Sequence, residues 1–363
     1  MRIAQVAPLF ESVPPRLYGG TERVVSYLTE ELVRQGHDVT LFASGDSVTS
    51  ANLVPACDRA LWRDPECRET LPHHVRLLDL VFRQAHHFDI IHFHCDYIHF
   101  PVLRYHRTPT VTTLHGMVRR HDLQALFQAC PAVPLVSISN DQRTPIPWAN
   151  WQGTVYHGLP RGLHTFCADP GGNLLFVGRI SPEKRLDRAI EIARRSGRKL
   201  KVAAKIYDED RGYYQSAIEP LLRESQSFVE FVGEVGGRDK DELIGHAYAL
   251  LFPIDWPEPF GLVTIEALAC GTPVIGWRNG SVPEIIEEGR TGFIVDDLDD
   301  AVRAVGDTAR LSRATCRASF EDRFDAPCMA SNYERVYQRL VRGPYPQLEI
   351  AESTSLHSEV PAA

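Results

Sequence analysis

The sequence lacks closely spaced cysteines, long apolar runs and, before residue 184, any lysine. Its eight cysteines stand singly without a CxxC motif, so we expect reduced thiols in a cytoplasmic protein rather than a disulfide framework. No apolar stretch approaches the roughly 18 residues that a membrane-spanning helix requires, and no transmembrane segment is predicted. The N-terminus, MRIAQVAPLF, is typical of a strand and lacks the features of a secretory signal.

An excess of positive charge is also missing. The formal net charge is -8. Residues 1–161 hold 15 arginines and 15 acidic residues, while the remainder holds 24 basic and 32 acidic residues. A general nucleic-acid-binding protein would show a basic face, so nucleic acid is not expected as a partner. Peripheral contact with a membrane surface and the oligomeric state are left open.

The sequence does contain a regular alternation of strand-like and helix-like stretches, which is typical of a parallel sheet. A helix predicted after Gly20 would be capped by Thr21 and would end near Gly36, and a second is predicted over 186–196. Strands are predicted over 2–7, 38–43, 89–94, 110–115, 135–139 and 153–157 in the first half, and over 173–178, 200–205, 229–233, 249–254, 273–277 and 292–295 in the second.

Two domains are predicted from the length and from a break in the pattern. Residues 158–172 are rich in Gly and Pro and separate the halves, which gives an N-terminal domain over 1–165 and a C-terminal domain over 166–324. We expect both to be Rossmann-like, doubly wound α/β domains that face each other across a cleft, with ligands at the carboxyl ends of the strands. A helix over 325–342 would close the fold, followed by a flexible tail over 343–363.

The stretch WPEPFGLVTIEALACG places Glu258 in a proline-rich loop and Glu266 about two turns inside the helix that follows. The amide groups at the start of that helix are a natural anion site, and Gly261 lets a ligand approach the backbone. A ligand with a central phosphate and a polyol at each end, such as a nucleotide sugar, would fit this arrangement. Alone, either glutamate also fits a solvated surface position.

Two further motifs follow predicted strands. FVGRISPEK supplies Arg179 and Lys184, a planar fork and a point charge that suit a diphosphate. RLYGGTERVV places Gly19 and Gly20 at the start of a helix, although GG is not the GxGxxG dinucleotide fingerprint. Taken singly, these motifs also fit ordinary turns with solvated cations.

Together, the motifs YGGTER, TLHG, VSISN, VGRISPEK, FVGEV and EPFGLVTIEALACGTPVI resemble the retaining glycosyltransferases of family 4, which have the GT-B fold. The resemblance extends to about residue 342, and the E-x7-E of Glu258 and Glu266 is its most specific element. It implies a hexosyltransferase-type enzyme that moves a sugar from a nucleotide-diphosphate sugar, with a UDP-sugar favoured, to an acceptor hydroxyl with retention of configuration. The first domain would bind the acceptor and the second the nucleotide sugar.

The resemblance also implies site residues. The catalytic set is His115 at the sugar pocket, Arg179 and Lys184 on the diphosphate, and Glu258 near the transferred sugar. The acceptor, whether a glycan, a lipid-linked molecule or a small molecule, would depend on first-domain loops such as 44–88 and 117–132. The donor-binding residues would be Gly19, Gly20, Arg179, Lys184, Glu258, Phe260, Gly261, Leu262, Val263 and Glu266.

No metal or other cofactor is expected, because the basic pair and the helix N-termini would stabilise the leaving diphosphate. The acidic run 208–210 is interpreted as solvated. His92 and His94 share one face of a strand, while His99 follows in the next loop, but no carboxylate pair completes a metal site. One or both of the strand imidazoles are expected to line the acceptor side of the cleft.

Other functions of the same fold remain open at this point. A nucleotide-sugar 2-epimerase would use cleft carboxylates as acid and base and would need no acceptor. A glycogen-type phosphorylase would need a lysine for a pyridoxal cofactor, and a non-catalytic sugar-nucleotide-binding protein would release no product. Release of nucleotide diphosphate with and without acceptors distinguishes these functions.

Overall fold

Two fully parallel sheets organise the chain in the computed structural model, which describes residues 1–16, 19–119 and 121–343. The first sheet has the strand order β3-β2-β1-β4-β5-β6-β7 and the second has the order β10-β9-β8-β11-β12-β13. The strands are β1 Arg2–Val6, β2 Asp38–Ser44, β3 Asn52–Cys57, β4 Ile90–Phe93, β5 Thr110–Thr113, β6 Leu135–Ser137, β7 Trp151–Thr154, β8 Leu174–Arg179, β9 Leu200–Lys205, β10 Val229–Gly233, β11 Ala249–Phe252, β12 Val274–Trp277 and β13 Gly292–Val295.

Helices connect the strands, as a parallel sheet requires. None of those in the described part of the chain is both long and apolar enough to cross a membrane. The helices are α1 Gly20–Arg34, α2 Leu71–Arg83, α3 Phe100–Leu103, α4 His121–Ala129, α5 Leu186–Ser196, α6 Arg211–Tyr213, α7 Glu219–Glu224, α8 Gly237–Gly245, α9 Leu262–Cys270, α10 Val282–Ile285, α11 Leu298–Asp307, α12 Arg313–Arg323 and α13 Ala326–Arg342.

Both sheets reverse their winding direction beside their first strand. β1 pairs with β2 on one side and β4 on the other, and β8 pairs likewise with β9 and β11. Such a reversal opens a crevice at the carboxyl ends of the strands, where ligands of doubly wound sheets bind. The doubly wound α/β class predicted from the sequence is therefore confirmed for both halves.

The twelve strands predicted from the sequence are all present, with shifts of a few residues at their ends. β3 is an additional strand at the edge of its sheet, where Pro55 is tolerated because an edge strand need not use every N–H group. The predicted loops 44–88 and 117–132 are thus partly regular, since they contain β3, α2 and α4. The predicted cap at Thr21 is wrong: α1 begins at Gly20 with Gly19 as its N-cap residue.

The last helix returns to the first half of the chain. α13 matches the predicted closing helix, and its Met329, Tyr333 and Tyr337 pack in one buried cluster with Ile3 and Leu28. The chain passes between the two sheets at two neighbouring places, where the amide of Leu159 donates to Phe324 O at 2.9 Å. The tail predicted over 343–363 lies outside the described residues, apart from Gly343.

A second contact between the halves is made by Glu284 of α10. Its carboxylate accepts hydrogen bonds from the backbone amides of Asn140 and Asp141 at 2.7 and 2.8 Å, and from Tyr156 Oη at 3.0 Å. Several donors on one carboxylate make a charge-assisted contact. This contact and the double crossing fix how the two crevices face each other.

Gly158 has no space for a side chain at the crossing. An added Cβ would lie 2.4 Å from Asp325 O and 2.9 Å from Met329 Cβ, and the Asp325 carbonyl is backbone that cannot rotate away. We expect Gly158→Ala to lower the free energy of unfolding by about 1–3 kcal/mol. Gly162→Ala is the matched control, because no atom lies within 4 Å of its Cβ position. Urea unfolding measures both, and equal midpoints would contradict the prediction.

Candidate active site

A cavity of about 1340 Å³ lies between the two sheets and takes its walls from both halves of the chain. Its lining includes the loop after β1, the residues that follow β4, β5 and β8, and the segment between β11 and α9. Every site residue predicted from the sequence lines this cavity: Gly19, Gly20, His115, Arg179, Lys184, Glu258, Phe260, Gly261, Leu262, Val263 and Glu266.

Two helix N-termini meet in the cavity. An added Cβ on Gly20, the first residue of α1, would lie 3.7 Å from Leu262, the first residue of α9. Gly261 has φ +82°, and an added Cβ would lie 2.9 Å from the Phe252 ring, so both the backbone and the space require glycine. The first amides of each helix lack intrahelical acceptors and carry positive partial charge. The site can therefore hold an anion between the two helices.

Arg179 lies at the carboxyl end of β8 and is paired with two carboxylates. Its guanidinium donates through Nε and Nη2 to Asp210, with the Nη2 bond to Oδ1 at 3.0 Å, and Nη2 lies 2.7 Å from Glu209. The interpretation of the run 208–210 as solvated is wrong for Asp210, which is buried. The hydrogen bonds that Arg179 donates to Asp210 raise the pKa of Arg179 and fix the plane of the guanidinium at the cavity wall.

Lys184 is paired with Glu258. The ammonium donates to Glu258 Oε2, which also accepts from Trp256 Nε1 at 2.7 Å. The same ammonium lies 5.1 Å from the centre of the Trp256 ring, within the range of a cation–π contact. The carboxylate and the ammonium therefore hold each other at the entrance of α9, with the indole as a common support.

Glu266 is fully buried in α9 and is balanced by Lys240 of α8. The ammonium donates to Oε1 at 2.8 Å and lies 2.6 Å from Oε2, off the hydrogen-bond axis. Burial is the largest single influence and raises the pKa of Glu266. The charge and hydrogen bond of Lys240, together with the charges of His164 and Arg23, more than offset it, so the pKa lies below its ordinary value. Sequence reasoning missed Lys240, since nothing in its local pattern distinguishes it from a solvated lysine on α8.

Of the strand histidines, only His94 lines the cavity. His94 Nδ1 lies 2.8 Å from His115 Nε2, and the His115 ring stacks on His157, with 5.3 Å between ring centres. His92 is fully buried against Tyr337 Oη at 2.7 Å, and His99 is bonded to Thr112. Burial lowers the pKa of His115 to about 3, so this imidazole is neutral at physiological pH.

Unpartnered buried polar atoms concentrate in the cavity. Within the described residues, seven buried side-chain nitrogen or oxygen atoms lack a hydrogen-bond partner, and four of them belong to residues that line it. These four are Nδ1 of His115, Nδ1 of His157, Nε2 of His164 and Oε2 of Glu266. Oε2 of Glu266 still has the Lys240 ammonium at 2.6 Å, whereas the three imidazole nitrogens have no such contact. Buried polar atoms are nearly always paired with protein or ordered water, so these nitrogens are positions where water or a ligand hydroxyl can bind.

One group in the described residues has side chains spaced for a metal ion: His164, Asp241 and Cys270. Asp241 accepts from His164 Nδ1 at 2.9 Å and from Cys270 Sγ at 3.4 Å, and also from the Thr165 amide at 3.2 Å. Burial raises the pKa of the Cys270 thiol, which favours the protonated, hydrogen-bonding form over a thiolate ligand. We therefore interpret the group as a hydrogen-bonded connection, in which Asp241 joins residues 164–165 to Cys270 of α9, rather than as a metal site.

Comparison with known proteins identifies related chains along most of the sequence. Residues 18–137 match the model described as "Glycosyltransferase Family 4", and residues 170–309 match "Glycosyl transferases group 1". A glycogen synthase of Mycobacterium tuberculosis is 27% identical over 403 residues, covering 93% of this chain and 96% of its own. A phosphatidyl-myo-inositol mannosyltransferase of Mycobacterium leprae is 23% identical over 386 residues, with the same coverage of both chains.

Solved structures share the fold. AviGT4, a glycosyltransferase involved in avilamycin A biosynthesis, has a TM-score of 0.70 at 23% identity and covers 94% of this chain and 98% of its own. Anabaena HepE in complex with UDP-glucose has a TM-score of 0.69 at 16% identity and covers 93% of this chain and 99% of its own. At these identities the likeness establishes the two-domain architecture.

The pairing of Glu266 with Lys240 predicts a pH-dependent loss of stability in Lys240→Met. Without the ammonium, burial raises the folded-state pKa of Glu266 above its unfolded value, so the ionised carboxylate destabilises the fold at high pH. We expect unfolding to be easier by about 1–3 kcal/mol at pH 8, with a smaller difference near pH 5, where the carboxylate takes up a proton. Chemical denaturation at the two pH values measures the effect.

The matched control is Lys201→Met, which removes a lysine 3.7 Å from the exposed Glu230. Exposed ion pairs contribute about 0–1 kcal/mol, so this variant should stay close to the native protein at both pH values. A difference for Lys240→Met that is independent of pH would contradict the assigned pairing.

Proposed function

Because the chain belongs to the family 4 glycosyltransferases and has the GT-B fold, we propose that it transfers a hexosyl group from a nucleoside-diphosphate sugar to an acceptor hydroxyl, with retention of configuration and without a metal ion. Its relatives are glycosyltransferases by name, and the chain is a hexosyltransferase-type enzyme. Membership of this family favours transfer over the alternatives of epimerisation and binding without catalysis.

The main support for the donor assignment is the position of two carboxylates, each paired with a lysine, on either side of the N-terminus of α9. Glu258 precedes the first turn of α9 and Glu266 lies inside the helix, with Gly261 between them. A nucleotide sugar has the same order of groups: sugar hydroxyls, a diphosphate and a ribose diol. In this pose the Glu266 carboxylate accepts from the ribose while it keeps its contact with Lys240, and the amides of α9 meet the diphosphate.

The charges at Arg179 and Lys184 support a role in leaving-group departure. Cleavage of the sugar–phosphate bond leaves negative charge on the diphosphate, which positive groups fixed in place stabilise. In our proposal the diphosphate replaces Glu258 as the partner of the Lys184 ammonium when the donor binds. The Glu258 carboxylate then accepts hydrogen bonds from hydroxyls of the transferred sugar. Arg179 keeps its orientation through Asp210 while its charge faces the same phosphates.

We favour a UDP-sugar donor, because solved relatives of the same fold contain UDP and UDP-glucose. The acceptor binds on the first-domain side of the cleft, beside Phe10, Trp62 and Asp96, which line that wall. We also propose a cytoplasmic location, since all eight cysteines are free thiols.

The function is tested by incubation of the protein with UDP-, GDP- and ADP-sugars and measurement of free nucleotide diphosphate, with and without candidate acceptors. Acceptor-dependent release is expected for one nucleotide class, together with a thermal shift that Glu266→Ala reduces. Conversion of the donor to an isomer without release would identify an epimerase. A thermal shift without any turnover across a broad acceptor panel would indicate a binding protein.

Metal independence predicts that chelation leaves the rate unchanged. Arg179, Lys184 and the amides of α9 supply the positive charge that a divalent ion would otherwise supply. We expect the transfer rate in EDTA to equal the rate in Mg2+ or Mn2+ within about twofold. Loss of turnover on chelation, restored by added Mg2+, would overturn this part of the proposal.

Removal of either cation should lower the transfer rate more than it lowers donor affinity, because the charge develops in the transition state. We expect Arg179→Ala and Lys184→Ala to lower kcat by about a hundredfold to a thousandfold, and Arg179→Lys to recover part of the loss. Steady-state kinetics with circular dichroism and Tm of each variant provide the measurement. Lys201→Ala is the control and should transfer at the native rate, because Lys201 is a half-buried lysine that does not line the cavity.

A further inference from the structure

A continuous series of hydrogen bonds connects the C-terminal helix to the cavity. Tyr337 Oη of α13 accepts from Gln5 Nε2 at 3.1 Å, and Gln5 Oε1 lies 2.8 Å from His94 Nε2. His94 Nδ1 in turn lies 2.8 Å from His115 Nε2. We call these four residues, Tyr337, Gln5, His94 and His115, the imidazole relay. Three of them are buried, and only His115 reaches the cavity with an unpartnered atom.

The polarity of the relay follows from the orientation of the Gln5 carboxamide, whose Nε2 donates to Tyr337 Oη and whose Oε1 faces His94. A neutral imidazole has one N–H donor and one lone pair, and a carboxamide oxygen only accepts. Gln5 Oε1 therefore requires the proton of His94 on Nε2, which leaves His94 Nδ1 as an acceptor. His115 must then donate from Nε2, and its Nδ1 carries a lone pair. Burial lowers the pKa of both imidazoles well below the physiological range, so neither gains a second proton.

We propose that Gln5 and His94 are positioning residues that fix the tautomer of His115, so that its buried and unpartnered Nδ1 accepts a hydrogen bond from a hydroxyl of the transferred sugar. This inference rests on the proposed function, because it concerns the sugar end of the same cavity. His94 uses both ring nitrogens within the relay and acts on the sugar only through His115.

The fixed lone pair predicts specificity. If a buried acceptor is positioned for one hydroxyl of the sugar, it stays unpaired when a sugar without that hydroxyl binds. Such sites therefore discriminate strongly between sugars with and without the hydroxyl. A donor analogue that lacks the hydroxyl in question should lose transfer efficiency. The alternative tautomer, with the proton on Nδ1, would present a donor at the same place and would favour a hydroxyl that accepts.

The tautomer is measured directly by 15N NMR of histidine-labelled protein, which distinguishes a protonated ring nitrogen from one with a lone pair. The His115 signals are identified by their loss in His115→Gln. We expect Nε2 to be protonated and Nδ1 to be unprotonated in the native protein. Protonation of Nδ1 would overturn the inference, whatever the activity of the enzyme.

Two substitutions at His94 separate positioning from packing. His94→Phe keeps a ring but removes the acceptor, so both tautomers of His115 should be populated, and kcat/KM for transfer should fall about tenfold to a hundredfold. His94→Asn returns an acceptor oxygen close to the position of Nδ1 and should recover the Nε2–H tautomer and most of the activity. Affinity for the nucleotide diphosphate alone should not change in either variant.

His99→Phe is the matched control. His99 is equally buried and makes an equivalent bond to Thr112 Oγ1 at 2.7 Å, but it lies outside the relay. We expect this variant to lose stability while it keeps the native His115 tautomer and kcat/KM. If His94→Phe and His99→Phe had the same kinetic effect, the relay would be only a packing feature.

A set of deoxy-sugar donors completes the test. The hydroxyl that donates to Nδ1 is identified as the one whose removal from the donor lowers the kcat/KM of the native enzyme most. In His94→Phe, removal of the same hydroxyl should lower kcat/KM only slightly further. Additive losses would overturn the inference. Inactivity of the native protein toward all donors, with the expected tautomer present, would instead count against the proposed function alone.

Discussion

The positive N-terminus of α9, set between two carboxylates, determines how the cleft is built. A carboxylate withdrawn from water is costly to ionise unless a cation meets it. The buried Glu266 is paired with Lys240, and the half-buried Glu258 is paired with Lys184. The resulting ion pairs hold the site's charges in place before any ligand binds. A polyanionic ligand then exchanges one set of ionic contacts for another and does not have to expose isolated charges.

Much of the fold and of the cavity lining could be predicted from the sequence, because hydrophobic periodicity and the positions of glycine and proline are local signals. The continuous apolar runs of the parallel strands and the glycine-led start of α9 led to the correct architecture and to a cavity lined by all the predicted residues. The partners of those residues were harder to predict. Lys240 and Asp210 reach Glu266 and Arg179 from other elements, and no local pattern marks a charged side chain that becomes buried through a contact 26 or 31 residues away.

The histidines illustrate the same limit. Alternation along the predicted strand 89–94 places His92 and His94 on one face, but it cannot tell which of the two reaches the cleft. In the structure His92 lies in β4 and His94 directly follows it. The distinction arises from α13, whose Tyr337 occupies the space beside His92 and leaves His94 next to His115. A residue near the end of the chain thus decides the role of a motif near its beginning. His157, in the loop after β7, joins the same group of rings.

The return of α13 to the first sheet has a consequence for the order of events during synthesis. The core around Ile3 and Leu28 is completed by Met329, Tyr333 and Tyr337, which leave the ribosome after the whole second sheet. The second domain can assemble from contiguous chain, whereas the first must wait with an open apolar face until the final helix emerges. Contacts of such long sequence separation slow folding and prolong exposure to aggregation. The apolar core of the N-terminal half therefore closes only after the last helix of the chain has been synthesised.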